Sequence, residues 1–243
     1  MNAIETHALK KSYGAVRALD GLDLSVKEGE FLALLGVNGA GKTTAIKLLT
    51  GIAGPDGGEA YIMGHDLKKE ADTVRSLVGV SPQETAVAGN LTVWENLFFM
   101  AGLSISDRAE RTAAAEEMMS ALSLEEVRRR RAKTLSGGWQ RRLSIAMALV
   151  GKPRVLFLDE PTLGLDVIAR RELWQVLLSL KGRLTVVLTT HYLEEACALA
   201  DRIAILSRGQ LRCVGTEQDI ITLSGKDNFE DAFVKLAAGE VEP

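Results

Sequence analysis

The stretch Gly36-Val37-Asn38-Gly39-Ala40-Gly41-Lys42-Thr43-Thr44 follows an apolar run, Phe31 to Leu35, and opens a segment patterned as helix. Glycines let successive backbone N–H groups curl inward without Cβ clashes. The start of the following helix adds unpaired donors and the positive end of its dipole. The result is an anion nest with the spacing of the G-x-x-x-x-G-K-[ST] P-loop. In that motif Lys42 reaches outer phosphates as a point charge and the Thr43 hydroxyl ligates Mg2+. A glycine-rich turn with an exposed lysine is the plainer reading, and the strand-before, helix-after context weighs against it.

The rest of the chain supplies the sheet that such a loop requires. Ile4 to Leu9 and Leu22, Leu24 and Val26 alternate as half-buried strands around a Tyr13-Gly14 turn, which predicts an antiparallel β portion. Phe31–Leu35 and Val155–Leu158 are continuously apolar, as strands covered on both faces should be. A helix over Lys42–Leu49, a strand over Glu59–Met63, a helix from about Leu67 and a strand over Leu77–Ser81 follow. Later come a helix over Val167–Leu180, a strand over Leu184–Thr189, a helix over Tyr192–Ala200 and a strand over Ile203–Ser207. This alternation predicts an α/β fold with a mainly parallel sheet and right-handed crossovers.

Residues 84–150 lack a convincing strand and read as an inserted helical subdomain. Thr92 with Glu95, and Ser123 with Glu126, have capping-box spacing. Met118, Ala121 and Leu122, with Ala114 or Ala115, form a stripe expected to pack in the core. The expected organisation is one domain over 1–243: a catalytic core from 1–83 and 151–215, the helical subdomain, and a helical tail over 216–243.

With 243 residues, 47% hydrophobic and 25% charged, the chain can bury a substantial centre. A net charge of -3 gives no global reason to expect a nucleic-acid partner. Cys197 and Cys213 lack metal-ligand spacing and suit a reducing cytoplasm. No run reaches the length of a transmembrane helix, and the N-terminus lacks the apolar core of a signal peptide, so a membrane role must come through a partner.

Four expected strands end in polar residues. Gly36 opens the P-loop, Gln83 follows Ser81-Pro82, Asp159-Glu160 follows Leu158, and His191 follows Thr189-Thr190. Ligands of open α/β sheets lie beyond the carboxyl ends of strands, which predicts that these groups converge. Asp159 is suited to hold Mg2+ and Glu160 to polarise the attacking water. Gln83 alone would read as a surface residue beside a turn proline, and only its strand-end position makes it a candidate ligand for metal and water. A lone histidine is usually structural, and position again makes His191 a candidate γ-phosphate contact.

Leu135-Ser136-Gly137-Gly138-Trp139-Gln140-Arg141-Arg142 precedes a helical run and forms a second anion nest without a lysine. Taken alone, Ser-Gly-Gly is an ordinary helix cap. With the P-loop already holding one triphosphate, the second nest most simply completes the site of another copy.

Together these motifs resemble the nucleotide-binding subunit of ATP-binding cassette (ABC) transporters, over about residues 3–215 and in the family's order. The resemblance implies that Tyr13 stacks on adenine, and that Gly36, Asn38, Gly39, Ala40, Gly41, Lys42, Thr43 and Thr44 bind ATP. It makes Gln83 the Q-loop and Leu135–Gln140 the signature, with Ser136, Gly137 and Gly138 contacting ATP on a partner subunit. Val155–Glu160 becomes Walker B, with Glu160 catalytic and Mg2+ held by Thr43, Gln83 and Asp159. Asp166 falls in the D-loop, and His191 is the switch histidine.

The resemblance further implies a head-to-tail dimer of nucleotide-binding subunits, as a homodimer, with transmembrane permease subunits as partners. The chain would then lie at the cytoplasmic face of the membrane. His191-Tyr192-Leu193-Glu194-Glu195-Ala196 and Phe229-Glu230-Asp231-Ala232-Phe233 look closest to bacterial drug-resistance and ABC-2 type exporters. A soluble cassette ATPase of translation or DNA repair is the alternative, although the tandem cassettes, coiled-coil insertions and basic arms of such relatives are not visible.

Two departures stand out. Trp139 occupies a position where the family usually has glutamine or methionine, and its indole cannot accept a hydrogen bond. Val37 replaces a common proline. The run Arg128–Arg131 reads either as a solvated helix end whose cations favour the C-terminal dipole, or as a contact for a membrane-domain loop or anionic lipid.

Overall fold

The computed structural model describes residues 1–238, so residues 239–243 of the expected tail lie outside the described part. The chain forms two compact units. One comprises the first 77 residues together with the chain from Lys181 onward, and the other spans Val78–Leu180.

The first unit begins with two long strands, β1 (Asn2–Tyr13) and β2 (Val16–Lys27), paired antiparallel. Ile4, Leu9, Leu22, Leu24 and Val26 are buried, as their alternation requires. The hairpin turns at Gly14, whose φ is 59°, while Tyr13 itself ends β1. A bulge at Ala8, φ 44°, is held by its N–H donating to the Asp23 carboxylate at 2.7 Å. Next comes β3 (Phe31–Leu35), five consecutive buried residues, and after the P-loop α1 (Lys42–Leu49).

Strands β4 (Gly57–Ile62) and β5 (His65–Asp66) complete the antiparallel sheet in the order β2-β1-β4-β5. Helix α2 (Ala71–Leu77) starts later than the expected Leu67. Asp66 explains the delay, because its carboxylate accepts the N–H groups of Lys68 and Lys69 at 2.9 and 3.1 Å and so stabilises a turn over those residues.

The second unit opens with β6 (Val78–Ser81). Helix α3 (Val93–Ala101) starts at the expected capping box: Glu95 N–H donates to Thr92 Oγ1 at 3.2 Å, and Thr92 N–H donates to the Glu95 carboxylate at 2.7 Å. Such a cap contributes about 1 kcal/mol. Helix α4 (Arg108–Ala121) buries Ala114, Ala115, Met118 and Met119, with Leu122 beyond its end. Ala121, expected in the stripe, is exposed, and Met119 takes its place.

Ser123 does not cap a helix. It sits at φ 53° just after α4, its N–H donating to Ser120 O at 3.1 Å, and only a three-residue 3-10 turn, Glu125–Val127, follows. Three residues cannot repay the nucleation of an α-helix. Helix α5 (Gly137–Leu149), strand β7 (Val155–Asp159) and helix α6 (Val167–Leu178) complete this unit, with β6 and β7 parallel.

Back in the first unit, β8 (Thr185–Thr190), α7 (Leu193–Leu199) and β9 (Arg202–Ser207) follow in alternation. Both β8 and β9 run parallel to β3. Strand β10 (Gln210–Gly215), not anticipated from sequence because only Leu211 and Val214 interrupt its polar face, pairs antiparallel with β9. Helices α8 (Glu217–Ser224) and α9 (Phe229–Ala238) end the described chain. The mixed α/β class, with parallel pairs in the core and a separate antiparallel portion, is the one expected.

Candidate functional site

The P-loop follows directly from the end of β3. A Cβ on Gly36 would overlap the Leu206 carbonyl oxygen and come within 2.9 Å of Ala40 Cβ, so only glycine fits. Gly41 caps α1 at φ 107°, where a Cβ would also stand 2.5 Å from Ala18 O. The loop is closed by Ala40 N–H donating to Val37 O at 3.1 Å and by Gly209 N–H donating to Ala40 O at 3.0 Å. Asn38 and Gly39 lie exposed on its rim, while Ala40 is buried.

No side chain caps α1 and no acidic residue stands in its first turn, which leaves a field suited to an anion. Lys42 is buried and folds back over the loop, its ammonium 2.6 Å from Gly36 O. Thr43 and Thr44 are half-buried in the first turn. A buried cation over inward-turned backbone fits a polyphosphate, and the Thr43 hydroxyl is the right donor type for a magnesium ion.

The register of β3 and β8 pairs Leu35 with Thr190, and Gly36 N–H donates to Thr190 O at 3.4 Å. The P-loop and His191 therefore leave neighbouring strands at the same level. His191 is half-buried, its ring centroid 4.1 Å from that of Tyr192, and Tyr192 N–H donates to Thr190 Oγ1 at 3.0 Å.

Tyr13 stands 48% exposed at the hairpin tip, open enough to present a ring face. Its support is Asp56, whose carboxylate accepts Ser12 N–H at 2.7 Å and Lys11 Nζ at 2.9 Å. Hydrogen bonding from Lys11 first, and from the Ser12 backbone second, holds the Asp56 carboxyl below the usual carboxylate range. Lys11 Nζ also lies 5.6 Å from the Tyr13 ring centroid.

In the second unit, β6 and β7 pair Ser81 with Leu158, so Pro82-Gln83 and Asp159-Glu160 leave adjacent strands together. Asp159 and Glu160 are both buried, and Gln83 is exposed. Glu160 adopts φ 48°, in the left-handed region that a non-glycine residue rarely occupies. Strain of that kind costs about 1–3 kcal/mol and concentrates at functional sites.

Ser136 holds the N-cap position of α5 with φ -66° and ψ 162°, yet its side chain makes no capping bond. Its hydroxyl and the exposed Gly137 form the outward-facing start of the helix. Gly138 has a structural constraint of its own, because a Cβ there would lie 3.2 Å from Ala169 Cβ of α6. Asp166 caps α6, its Oδ1 accepting Ile168 N–H and Ala169 N–H at 2.9 Å each. Trp139 is half-buried, with the Arg142 guanidinium 5.0 Å from its ring centroid and Arg142 paired to Glu172 at 2.7 Å.

Two arrangements escaped the sequence. Arg141 is buried and donates to Pro82 O and Gln83 O at 2.6 Å each. A charge on the face of α5 that otherwise carries Ser144 and Ile145 was the available signal. The arginine run ends no α-helix and follows only the 3-10 turn Glu125–Val127, which Arg128 caps; Arg128 O and Arg130 O accept the N–H groups of Trp94 and Val93 at the start of α3. The Arg128 guanidinium stacks 4.0 Å from the Trp94 ring centroid and grips Glu116 through two bonds of 2.6 and 2.7 Å. The expected dipole interaction at a helix C-terminus is thus replaced by backbone acceptors at a helix N-terminus. Among the described residues no group of three or more His, Cys, Asp or Glu side chains is placed to hold a metal ion.

Comparison with known proteins gives the family and the fold. The ABC transporter family model matches residues 19–163. The chain is 44% identical over 226 residues to the daunorubicin/doxorubicin resistance ATP-binding protein DrrA of Streptomyces peucetius, covering 93% of this chain and 68% of that one. It is 46% identical over 198 residues to the phospholipid-transporting ATPase ABCA3 of Mus musculus, covering 80% of this chain but only 11% of that longer protein.

A solved ATP-binding subunit of an ABC transporter superposes with a TM-score of 0.85 at 29% identity, covering 96% of this chain and 99% of its own. A dimeric ATP-binding cassette bound to ADP and Pi gives 0.79 at 28% identity, over 88% and 98%. These relatives do not favour the translation or repair alternative. The chain belongs to the ABC transporter family, as its nucleotide-binding ATPase component.

Proposed function

We propose that this chain powers export through separate membrane subunits and acts as a dimer of two copies. The observation that carries this reading is the pair of helix starts without side-chain caps: Gly41–Lys42 with a buried cation, and Ser136–Gly137 without one. A nest with its own lysine suits the ATP of the same chain. A nest lacking a cation is suited to the γ-phosphate of an ATP already held by another copy.

In this reading Tyr13 stacks on adenine, and Gly36, Asn38, Gly39, Ala40, Gly41, Lys42, Thr43 and Thr44 bind the phosphates. Thr43, Gln83 and Asp159 would hold Mg2+, which neutralises phosphate charge when bound. Glu160 takes up the proton of the attacking water, His191 hydrogen-bonds the γ-phosphate, and Ser136, Gly137 and Gly138 serve the partner's ATP. Asp166 acts at the dimer seam next to the helix it caps.

Among the described residues no helix is long and apolar enough to cross a membrane; in this reading transmembrane permease subunits carry the cargo and the chain sits peripherally at the cytoplasmic face. A cavity of about 360 Å3 lined by Trp94, Phe98, Phe99, Leu103 and Arg111 on the helical unit suits an apolar cytoplasmic helix of such a subunit. Relatives named for drug resistance and phospholipid transport support a lipophilic cargo.

Two substitutions test the reading. Glu160→Gln should bind Mg-ATP and dimerise on it while turnover falls at least a hundredfold, whereas Lys42→Ala should lose nucleotide binding. Near-normal turnover of Glu160→Gln, or a monomer at saturating ATP, would sink it.

A further inference from the structure

The buried guanidinium of Arg141 has no role in the site described above, yet its geometry is specific. Both terminal nitrogens are spent on consecutive carbonyls, those of Pro82 and Gln83, at 2.6 Å each. Its side chain is almost wholly withdrawn from solvent, at 4% exposure. A planar fork holding two successive carbonyls fixes both the position and the twist of the backbone they belong to.

Two further contacts lie along the same face of α5. Ser144, three residues on, shares a hydrogen bond of 2.8 Å with Ser81. At position 148, seven residues on, the helix backbone presses so close to β6 that a Cβ on Gly79 would overlap Ala148 O. Residues i, i+3 and i+7 share one helix face, so β6 and its exit are fastened to α5 along two turns.

Downstream, Asn96 secures the other end of the loop. Its amide accepts Ala88 N–H at 2.9 Å and donates to Ala88 O and Thr92 O at 3.2 and 2.9 Å. The segment carrying Gln83 is therefore anchored at both ends, and its anchor nearest the glutamine is Arg141.

We infer that Arg141 is a positioning residue for Gln83, and that through it the placement of Gln83 is tied to Ser136–Gly138 at the start of the same helix. The inference rests on the proposed role of Gln83 at the nucleotide of its own chain and of the signature at the nucleotide of a second copy. Arg141 then links the two sites served by one chain. Both its terminal nitrogens are engaged by the backbone at Pro82 and Gln83, so its loss should act on turnover through Gln83.

The test is a double-mutant cycle on the full chain, reading Mg-ATP turnover, nucleotide affinity and thermal midpoint. Arg141→Met should lower kcat about tenfold or more while KM for ATP stays within twofold, since misplacing a group by about 1 Å costs up to a hundredfold. Arg141→Lys, which reaches only one carbonyl, should restore part of that loss. In a Gln83→Ala background the same Arg141→Met change should cost less than twofold, because the group it positions is gone.

Equal losses in both backgrounds, with Gln83→Ala itself impaired, would overturn the inference and leave the Gln83 role standing. A Gln83→Ala chain with unchanged kcat would overturn that role and the inference with it. If Arg141→Met does not fold, the cycle is run with Arg141→Lys, and the same two outcomes decide.

Discussion

Gly36 faces the carbonyl oxygen of Leu206 so closely that any side chain at position 36 would overlap it. The contact joins the entrance of the P-loop to β9, and the backbone there cannot retreat without breaking the β3–β9 ladder, in which Leu34 pairs with Ala204 and Leu35 with Ile205. Gly36→Ala should thus displace the loop and weaken nucleotide binding by at least tenfold. Gly54→Ala, where a Cβ meets nothing within 4 Å, should leave affinity within twofold. Titration with a fluorescent ATP analogue separates the two; equal affinities would contradict the steric account.

Asp56 holds the hairpin tip that bears Tyr13, and its substitution is expected to affect affinity rather than turnover. Asp56→Asn should raise KM for ATP about threefold or more with kcat unchanged, because the Lys11 bond and the Ser12 anchor are weakened together. Its carboxyl is held low in the folded chain, so the anchor is present above the ordinary carboxylate value and fades as pH falls through the lowered one. The Asp56 contribution to KM should accordingly be flat between pH 6 and 8, as steady-state kinetics at several pH values would reveal.

The two signature glycines should respond differently in stability. A Cβ on Gly137 would meet Leu165 Cδ2 at an ordinary 3.6 Å, so Gly137→Ala should gain roughly 0.5–1 kcal/mol from helix propensity. At Gly138 the corresponding approach to Ala169 Cβ is 3.2 Å, and α6 must yield. Gly138→Ala should gain less than Gly137→Ala, and Ala169→Gly should relieve the steric part of the difference. Urea unfolding of Gly137→Ala, Gly138→Ala, Ala169→Gly and the Gly138→Ala/Ala169→Gly double variant provides the comparison, and a reversed order for the two alanines would refute the packing argument.

Trp139 stands where family members usually place glutamine or methionine, and its contact in this chain is with Arg142, whose guanidinium is already fixed by Glu172. Trp139→Gln should leave ATP turnover within about threefold and cost about 1–2 kcal/mol, the scale of a partly desolvated cation–π contact. A loss of turnover beyond tenfold would show that the indole serves hydrolysis.

Both thiols are expected to be sluggish nucleophiles. Burial, followed by the neighbouring Glu217, pushes Cys197 up to about 12, and burial pushes Cys213 up to about 11. Thiolate is the reactive form, so at pH 8 alkylation by iodoacetamide should run at least about a hundredfold slower in the native chain than after unfolding. The linkage has a sign: an unfolded thiol ionises at a lower pH than the folded one, so the stability these groups contribute is complete at neutral pH and declines as pH rises above about 9. Rapid native labelling of either cysteine would disprove this.

The sequence by itself determined the P-loop, the buried strands and most helices, because those features are local. Gly36, Gly41 and Lys42 announce themselves through spacing alone, the five apolar residues of β3 leave no polar face, and Thr92 with Glu95 closes a cap within four residues. The strand-end position of Asp159 and Glu160 was also visible from the apolar run before them, but not the left-handed backbone at Glu160. Such a conformation depends on what surrounds it, not on the residue type.

Only the tertiary structure decided the remainder. Side-chain competition over Asp66 delayed α2, and a left-handed residue at Ser123 ended a helix where a cap had been expected. Arg128, separated from Glu116 by twelve positions and from Trp94 by more, could not be paired from sequence, and its backbone proved to matter as much as its charge. Arg141 is the clearest case. Ser144 and Ile145 on the same face of α5 hint only that the face is covered; that Arg141 lies beneath Pro82 and Gln83 is settled by the packing of α5 on β6, between segments nearly sixty residues apart.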